Sequence, residues 1–279
     1  MPELPEVQAV RRSLAGHLVG RAVRRVHLRR RDVVRGPRRP ADLLAGRRIA
    51  DLRRHGKQLA IVAEPQEDPE RPCVCVHLGM SGSLRILPPG RAAAVDHAHL
   101  VWTLEDRQRL VFRDPRRFGG IWTFRDVDEM WTRRWSQMGP DALLMTPADL
   151  HARLARTRRC IKAALLDQNL IAGLGNIYVD ELLHACGLHP LTVSHRIDRS
   201  QARRLVRSMR RLLDRATEAG GSTLRDYVDG TGQPGRFQNG HRVYGRAGER
   251  CQACGLSLSR IVVAGRTTVF CRSCQPAHD

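Results

Sequence analysis

Apolar residues fall into three rhythms along the chain, and each predicts a different kind of structure. Val7, Val10, Leu14 and Leu18 recur at helical spacing and predict a first helix over Pro5–His17. From Val19 to Phe124 the rhythm shortens to alternation. Strands are predicted at Val19–Leu28, Ile49–Arg54, Gln58–Ala63, Cys73–Leu78, Ser83–Leu87, His97–Leu104, Arg109–Arg113 and Gly120–Phe124. Short strands broken by Gly, Pro and Asp suggest a β-sandwich or flattened barrel. The acidic, proline-containing stretch Glu64–Pro72 reads as a solvated loop between two of them. Alternation is lost from Asp126 to Pro147, which includes Gly139-Pro140, and helical spacing then returns. Helices are predicted at Ala148–Arg156, Arg159–Gln168, Ile177–Cys186 and Ser200–Ala219. The glycine-rich stretch Gly220–Asn239 reads as a mobile loop. The expected organisation is a β-sandwich domain over 1–134, a linker over 135–147, a helical domain over 148–239 and a small unit over 240–279.

Charge changes the picture next. The 279 residues hold 48 Lys and Arg against 28 Asp and Glu, a formal net charge of +20. Basic residues recur from Arg11 to Arg272, so the excess belongs to the folded body, and such a surface points to a polyanion, of which nucleic acid is the commonest. A membrane is the rival partner. No apolar run approaches the ~20 residues of a spanning helix, and no signal peptide is visible at the N-terminus.

Four of the eight cysteines lie in the last 29 residues, as Cys251-x2-Cys254 and, after sixteen residues, Cys271-x2-Cys274. That spacing makes two knuckles whose thiolates can meet around one tetrahedral zinc ion. Four thiolates fill its coordination shell, so the ion would be structural and tied to the folding of so small a unit. A disulfide framework would require an oxidising compartment, and a reduced cytoplasm is the better reading. Cys73 and Cys75 alternate with Val74 and Val76 as in a buried strand, and Cys160 and Cys186 sit in helical patterns as small core residues. Between the knuckles, Ile261–Val263 and Thr267–Phe270 read as a hairpin around Gly265-Arg266.

Other stretches carry candidate chemistry. Loss of Met1 would make Pro2 a free secondary amine able to attack a sugar carbon, with Glu3 placed to move the proton. An α-amino group titrates near ~7.7, against ~10.4 for lysine, and nearby cations would restrain the more basic proline amine. Read by themselves, Pro2 and Pro5 also serve to stiffen the terminus, and Glu3 and Glu6 to favour the following helix. Leu165–Tyr178 reads as helix, glycine-bearing turn and second helix capped by Asn176, whose free amides suit a phosphate. His55-Gly56-Lys57, His77-Leu78-Gly79-Met80-Ser81-Gly82 and Asp114-Pro115-Arg116-Arg117-Phe118-Gly119 each put a large side chain on a turn.

Together, PELPEV, HGK, HLGMSG, DPRRFG, GLGNIY, VYGR and the terminal cysteines resemble, in order and over essentially the whole chain, the bacterial formamidopyrimidine-DNA glycosylases. These are base-excision repair enzymes for oxidised purines. The resemblance implies an α+β chain: an N-terminal helix with a two-layer β-sandwich, a helical domain with a helix–two-turn–helix, and a four-cysteine zinc-finger hairpin. Damaged double-stranded DNA would bind between the domains of a monomer, in the bacterial cytoplasm and at the nucleoid. Pro2 would attack C1′ and Glu3 would protonate the sugar ring oxygen, with Glu6 supporting the N-terminal geometry. Lys57 and His77 match residues near the flanking phosphates, Lys57 also restraining the amine. Asn176 and Arg266 match phosphate clamps, with Lys162 a nearby cation. Met80, Arg116 and Phe118 match the wedge that fills the gap left by an extruded base, Arg116 also facing the orphaned cytosine. β- and then δ-elimination would follow. Two positions depart from the usual pattern: Gln8 stands for a common glutamate, and Asn169 for a frequent basic residue. The complete wedge and the long 220–239 loop favour this branch over the endonuclease VIII branch for oxidised pyrimidines, and intact Pro2, Glu3 and Lys57 argue against an inactive DNA-binding relative.

Overall fold

The computed structural model describes residues 1–66, 70–89 and 95–277, so residues 67–69 of the expected acidic loop lie outside the described residues. The chain divides into two compact units, Met1–Gln137 with Thr217–Arg236, and Met138–Ala216 with Phe237–Asp279.

The first unit begins with α1 (Leu4–Leu18), followed by β1 (Val23–Leu28), β2 (Val34–Arg35), β3 (Ile49–His55), β4 (Gln58–Ala63), β5 (Cys73–His77), β6 (Ser83–Leu87), β7 (Ala98–Leu104), β8 (Arg109–Arg113), β9 (Gly120–Phe124) and α2 (Val127–Arg133). A four-stranded sheet runs β1-β7-β8-β6 and a five-stranded sheet β2-β9-β5-β4-β3. All pairings are antiparallel except that of β2 with β9. Alternate residues of both sheets meet in one core. Leu84 and Ile86, Leu100, Trp102 and Leu104, and Leu110 and Phe112 come from one sheet. Leu59 and Ile61, Val74 and Val76, and Ile121 come from the other, and Val7, Val10, Leu14 and Leu18 of α1 join them.

The opposite face of the five-stranded sheet lies partly under α2. Met130 of α2 is fully buried, its sulfur 3.8 Å from Cys73 Sγ. Burial raises the Cys73 thiol to about 12 and the Cys75 thiol to about 11, the behaviour of inert packing cysteines. Two elements were not foreseen from the pattern. β2 is two residues long and too short to alternate. α2 lies in the stretch read as losing structure, although Asp126 caps it by accepting from the Glu129 amide at 2.7 Å.

The expected linker 135–147 is shared out between the units. Trp135 stacks on His55, with ring centroids 5.6 Å apart, and its indole N–H donates to Gln58 Oε1. Gly139 instead donates to the Gln168 carbonyl and Ala142 to that of Ala172. The segment expected as a mobile loop within the helical domain is tied to the first unit. Gly230 donates to Ser13 Oγ at 2.9 Å, and Ile86 donates to the Gly230 carbonyl at 2.8 Å.

The second unit contains α3 (Pro147–Ala155), α4 (Ile161–Leu166), α5 (Asn176–Ala185), most of α6 (Arg199–Glu218), and the hairpin β10 (Ser259–Val263) and β11 (Arg266–Phe270). Thr146 caps α3, its hydroxyl oxygen accepting from the Asp149 amide, and Pro147 opens the helix. The hairpin turn is Ala264-Gly265, both at positive φ, so Arg266 is the first residue of β11 rather than part of the turn. No helix among the described residues is long and apolar enough to cross a membrane.

Trp102 is buried in the sandwich core, its indole N–H donating to the Leu43 carbonyl at 2.9 Å. Trp102→Ala is expected to cost about 3–5 kcal/mol of first-unit stability, read from urea unfolding of variant and parent.

Candidate active site and metal centre

The N-terminal turn is held by a buried carboxylate. Glu3 is the N-cap of α1 and forms a reciprocal capping box with Glu6, whose Oε2 accepts from the Glu3 amide at 2.8 Å. The other oxygen, Oε1, accepts from the Ser222 amide at 2.7 Å. Gly221 makes this approach possible: its φ is +81°, and a Cβ there would lie 2.7 Å from Glu6 Oε1. The Tyr227 hydroxyl lies 2.9 Å from the Glu6 carbonyl and 3.1 Å from that of Gly220. Burial raises the Tyr227 phenol, with Glu6 and Asp229 adding to the effect, so it stays neutral. Glu6 therefore does more than favour its own helix; it joins the N-terminal turn to the 220–222 segment. Pro2, Glu3 and Glu6 are all buried.

Behind this turn, Gln8 Oε1 accepts from Arg54 Nε at 2.9 Å, and Arg54 also donates to the Gly56 carbonyl. Lys57 follows at the β3–β4 turn and is 5 % exposed. Its neighbour Gln58 is paired in register with His77, and His77 with Gly120. Burial, then Arg134 and Lys57, push His77 down to about 4, so its ring is neutral at pH 7.

Beyond His77, two turns pack backbone to backbone. A Cβ on Gly79 would lie 2.4 Å from the Gly119 nitrogen, so only glycine allows this approach. Asp114, fully buried, clamps them together: Oδ1 accepts from Ser81 Oγ at 2.6 Å and Oδ2 from the Gly119 amide at 2.7 Å. Ser81 Oγ in turn accepts from the Arg116 amide at 3.2 Å. Held this way, Met80 and Phe118 stand 49 % and 54 % exposed, and the Arg116 guanidinium lies 4.6 Å from the centre of the Phe118 ring. Large apolar side chains kept in water on braced turns are suited to entering a partner.

In the second unit, α4 and α5 are joined by a glycine-bearing turn that Gln168 staples. Its Nε2 donates to the Leu166 and Leu174 carbonyls, and its Oε1 accepts from the Gly173 amide. Gly175, not Asn176, is the N-cap of α5. Asn176 opens the helix, its Nδ2 donating to the Thr267 carbonyl beside exposed Arg266, while its Oδ1 is buried without a hydrogen-bond partner among the described residues.

Lys162, expected on the DNA-facing surface, is wholly buried. Its ammonium donates to Asp180 Oδ1 at 2.5 Å and reaches the Thr267 carbonyl at 3.4 Å. An ammonium with no exposed surface has no path to a phosphate. Asp180 Oδ2 accepts from the Val269 amide, and Glu181 accepts from three successive amides, Arg242, Val243 and Tyr244. Burial pushes Asp180 up to about 6, against Lys162 and the Val269 amide.

The four cysteine sulfurs lie within 4.8 Å of one another, with Cys251–Cys274 at 3.9 Å and Cys254–Cys271 at 3.4 Å. Tetrahedral Zn–S bonds of ~2.3 Å would put sulfurs about 3.8 Å apart, so the tetrad fits a metal ion. His184 Nε2 stands 3.6 Å from Cys251 Sγ, where an N–H can support a thiolate.

Comparison with known proteins adds to this geometry. The family model for the formamidopyrimidine-DNA glycosylase N-terminal domain matches residues 1–121, and that for the family's H2TH domain matches 138–228. A zinc finger found in FPG and IleRS matches 248–277. The formamidopyrimidine-DNA glycosylase of Bacillus subtilis strain 168 is 39 % identical, over 99 % of each chain. The chain belongs to the formamidopyrimidine-DNA glycosylase family. Among solved structures, the MutM (Fpg) protein of Thermus thermophilus is 39 % identical with a TM-score of 0.85, covering 100 % of both chains. Lactococcus lactis Fpg, in a complex with DNA containing N7-benzyl-Fapy-dG, is 31 % identical with a TM-score of 0.87, over 99 % of this chain and 100 % of that one.

Asp114, Gln168, Asp180 and Glu181 brace the glycosylase motifs, yet none was singled out from the sequence. Asp114 lies inside a motif read for its exposed members, and Asp180-Glu181 follow another after Val179. Asp114 stands five residues before Gly119 and Asp180 five after Gly175, so no local spacing ties these acids to the turns they brace.

The depressed His77 value carries a stability consequence. Between pH 6.5 and about 4 the unfolded chain takes up a proton that the folded one refuses, so stability falls as pH falls through that window. The loss attributable to this group is up to about 3 kcal/mol. His77→Gln should lose correspondingly less between pH 7 and 4.5, read from denaturant midpoints of both proteins.

Proposed function

We propose that this protein removes oxidised purines, such as 8-oxoguanine and formamidopyrimidines, from duplex DNA and then cuts the strand as a lyase. The observation that carries the reading is the exposed Met80–Arg116–Phe118 group, braced by Asp114 in the same unit as the buried Pro2, Glu3 and Lys57. Extruding a base costs a few kcal/mol of unstacking, and inserted side chains offset it. Met80 and Phe118 supply the apolar surface, and Arg116, stacked on Phe118, supplies donors for the orphaned cytosine. Complexes of Lactococcus lactis Fpg with Fapy-dG-containing and abasic-site-containing DNA support the same substrate class.

The reaction begins with loss of Met1, which frees the Pro2 amine. That amine attacks C1′ while Glu3 protonates the ring oxygen, and the base leaves. The ring-opened Schiff base then undergoes β- and δ-elimination, with Glu3 moving protons. Lys57 keeps positive charge near the amine, lowering its pKa, and holds a flanking phosphate. His77, neutral at pH 7, contributes an N–H rather than a charge. Glu6 holds the turn on which Pro2 and Glu3 sit. Asn176 and Arg266, which flank the same hairpin strand, clamp the backbone, so affinity falls steeply with salt. Lys162 acts indirectly, by holding Asp180 and thus the hairpin. Cys251, Cys254, Cys271 and Cys274 would hold one zinc ion, whose role would be to tie the two knuckles and so fix the hairpin between them. The protein works as a cytoplasmic monomer.

Borohydride should trap a covalent adduct between Met1-free protein, checked by mass spectrometry, and a duplex carrying 8-oxoguanine opposite cytosine. Pro2→Gly, which keeps an amine but loses the ring, should trap poorly, and Glu3→Gln should slow base release by about 10²–10⁴-fold. Absence of any adduct with the processed parent protein sinks the enzymatic reading, and a clear preference for thymine glycol overturns the purine assignment.

Cys251→Ala should release zinc, measured by metal analysis, and weaken duplex binding by loosening the strand that bears Arg266. Stoichiometric zinc with normal affinity would contradict that role.

A further inference from the structure

The outer face of the five-stranded sheet carries a second basic hollow that the proposed reaction does not use. A pocket of about 880 Å³ opens beside the edge strand β2, the far half of β9 and α2. Six arginines line it. Arg39, Arg125 and Arg133 are each paired with a carboxylate of the lining, Asp42, Glu70 and Glu129 respectively. Among the described residues, no carboxylate is paired with Arg35, Arg47 or Arg134.

These three cations are set rather than loose. The Arg134 guanidinium carbon sits 3.3 Å from the centre of the Trp122 ring, and that of Arg35 sits 5.3 Å from it. Arg134 Nε is fixed by Gln58 Oε1 at 2.7 Å. Arg47 also lines the pocket, and among the described residues its Nη1 has no hydrogen-bond partner. Burial lowers the proton affinity of Arg134, Cys75 opposes that, and Arg35 adds to the lowering.

Arg134 reaches the end of the sheet that bears Lys57 and His77, through its bond to Gln58, while the rest of the pocket extends away from that end. β9 starts at Gly120 opposite His77 and runs away from it, so Trp122 pairs with Cys75 and Phe124 with Cys73. At ~3.3 Å per residue, Arg125 lies about 16 Å along the strand from Gly120.

We propose that this pocket is a second anion site, taking a ligand that carries two or more phosphate charges. Planar guanidinium forks match phosphate oxygens, and the volume exceeds what a single phosphate would fill. A free polyphosphate, such as the tail of a nucleotide, and the backbone of DNA flanking the reacting site share this chemistry.

Calorimetric titration of the full-length protein with pyrophosphate at low salt tests the site. Saturable one-to-one binding is expected, weakened at least tenfold by Arg47→Gln and by Arg35→Gln, and unchanged by Lys57→Ala. Arg35 is exposed, so its replacement probes the pocket without disturbing a packed group. Duplexes of two lengths separate the sources. If the ligand is flanking backbone, the arginine variants weaken the long duplex selectively and reduce its salt slope by about one for each phosphate no longer neutralised. If it is a free polyphosphate, both duplexes bind as in the parent while pyrophosphate binding falls. Pyrophosphate heat that survives both arginine variants overturns the proposal. So does absence of that heat together with absence of any length-dependent effect on duplex binding.

Discussion

Glu6 reaches across 216 positions of the chain to Ser222 while also holding its own N-terminal turn. One carboxylate oxygen takes the amide that begins the first helix, and the other takes the Ser222 amide. Charge-assisted bonds from backbone amides are strong where water is excluded, and Glu6 is 1 % exposed. Removing the carboxylate would orphan two buried donors at once. It would also free the short turn bearing Pro2 and Glu3, on which the proposed chemistry depends. A reacting amine misplaced by an ångström loses much of its advantage, so a rigid anchor here matters more than its contribution to global stability.

The same device recurs wherever a loop must be held for use. Asp114 fastens two turns so that Met80 and Phe118 stay in water instead of collapsing onto the sandwich. Asp180 fastens β11 to α5, and Glu181 gathers three amides of the segment that follows α6. Glu6 and Glu181, each on a helix, satisfy backbone donors of irregular segments, whereas Asp114 stands just past β8 and Asp180 takes an amide of β11. Irregular backbone cannot satisfy itself, and a carboxylate with two oxygens can serve several amides.

Much of this was legible in the residues. Gln58–Ala63, Ser83–Leu87, Arg109–Arg113 and Gly120–Phe124 fall where alternation placed them, because each has one face in the sandwich core. The cysteine tetrad follows from its spacing, since two knuckles leave little freedom in where the sulfurs go. What escaped was long-range pairing. Lys162 reads as a surface cation because its partner Asp180 belongs to the next helix, and nothing local reveals that the two meet. The stretch after Gly220 reads as mobile because glycines signal freedom. Here Gly221 is required for close approach to Glu6, and the segment is fastened. Exposed Met80 and Phe118 contradict what their side chains alone suggest, and only a known family pattern marked them in advance.

Gln8 shows how one departure from that pattern fits the chemistry. Its amide oxygen accepts from Arg54 Nε at 2.9 Å and from Arg11 Nε at 3.4 Å, positions a carboxylate would equally fill. The hydrogen bonds that brace α1 against β3 therefore survive the change from glutamate. The charge does not. Gln8 lies six residues beyond Pro2, four of them helical and about 6 Å of rise, the other two extended, a separation comparable to the ~10 Å over which charges are felt at moderate salt. Replacing an anion by a neutral amide leaves the field at the amine more positive. A positive field disfavours the protonated amine and favours the approach of phosphates. The substitution thus keeps the brace and moves the electrostatics in the direction that the proposed nucleophile needs.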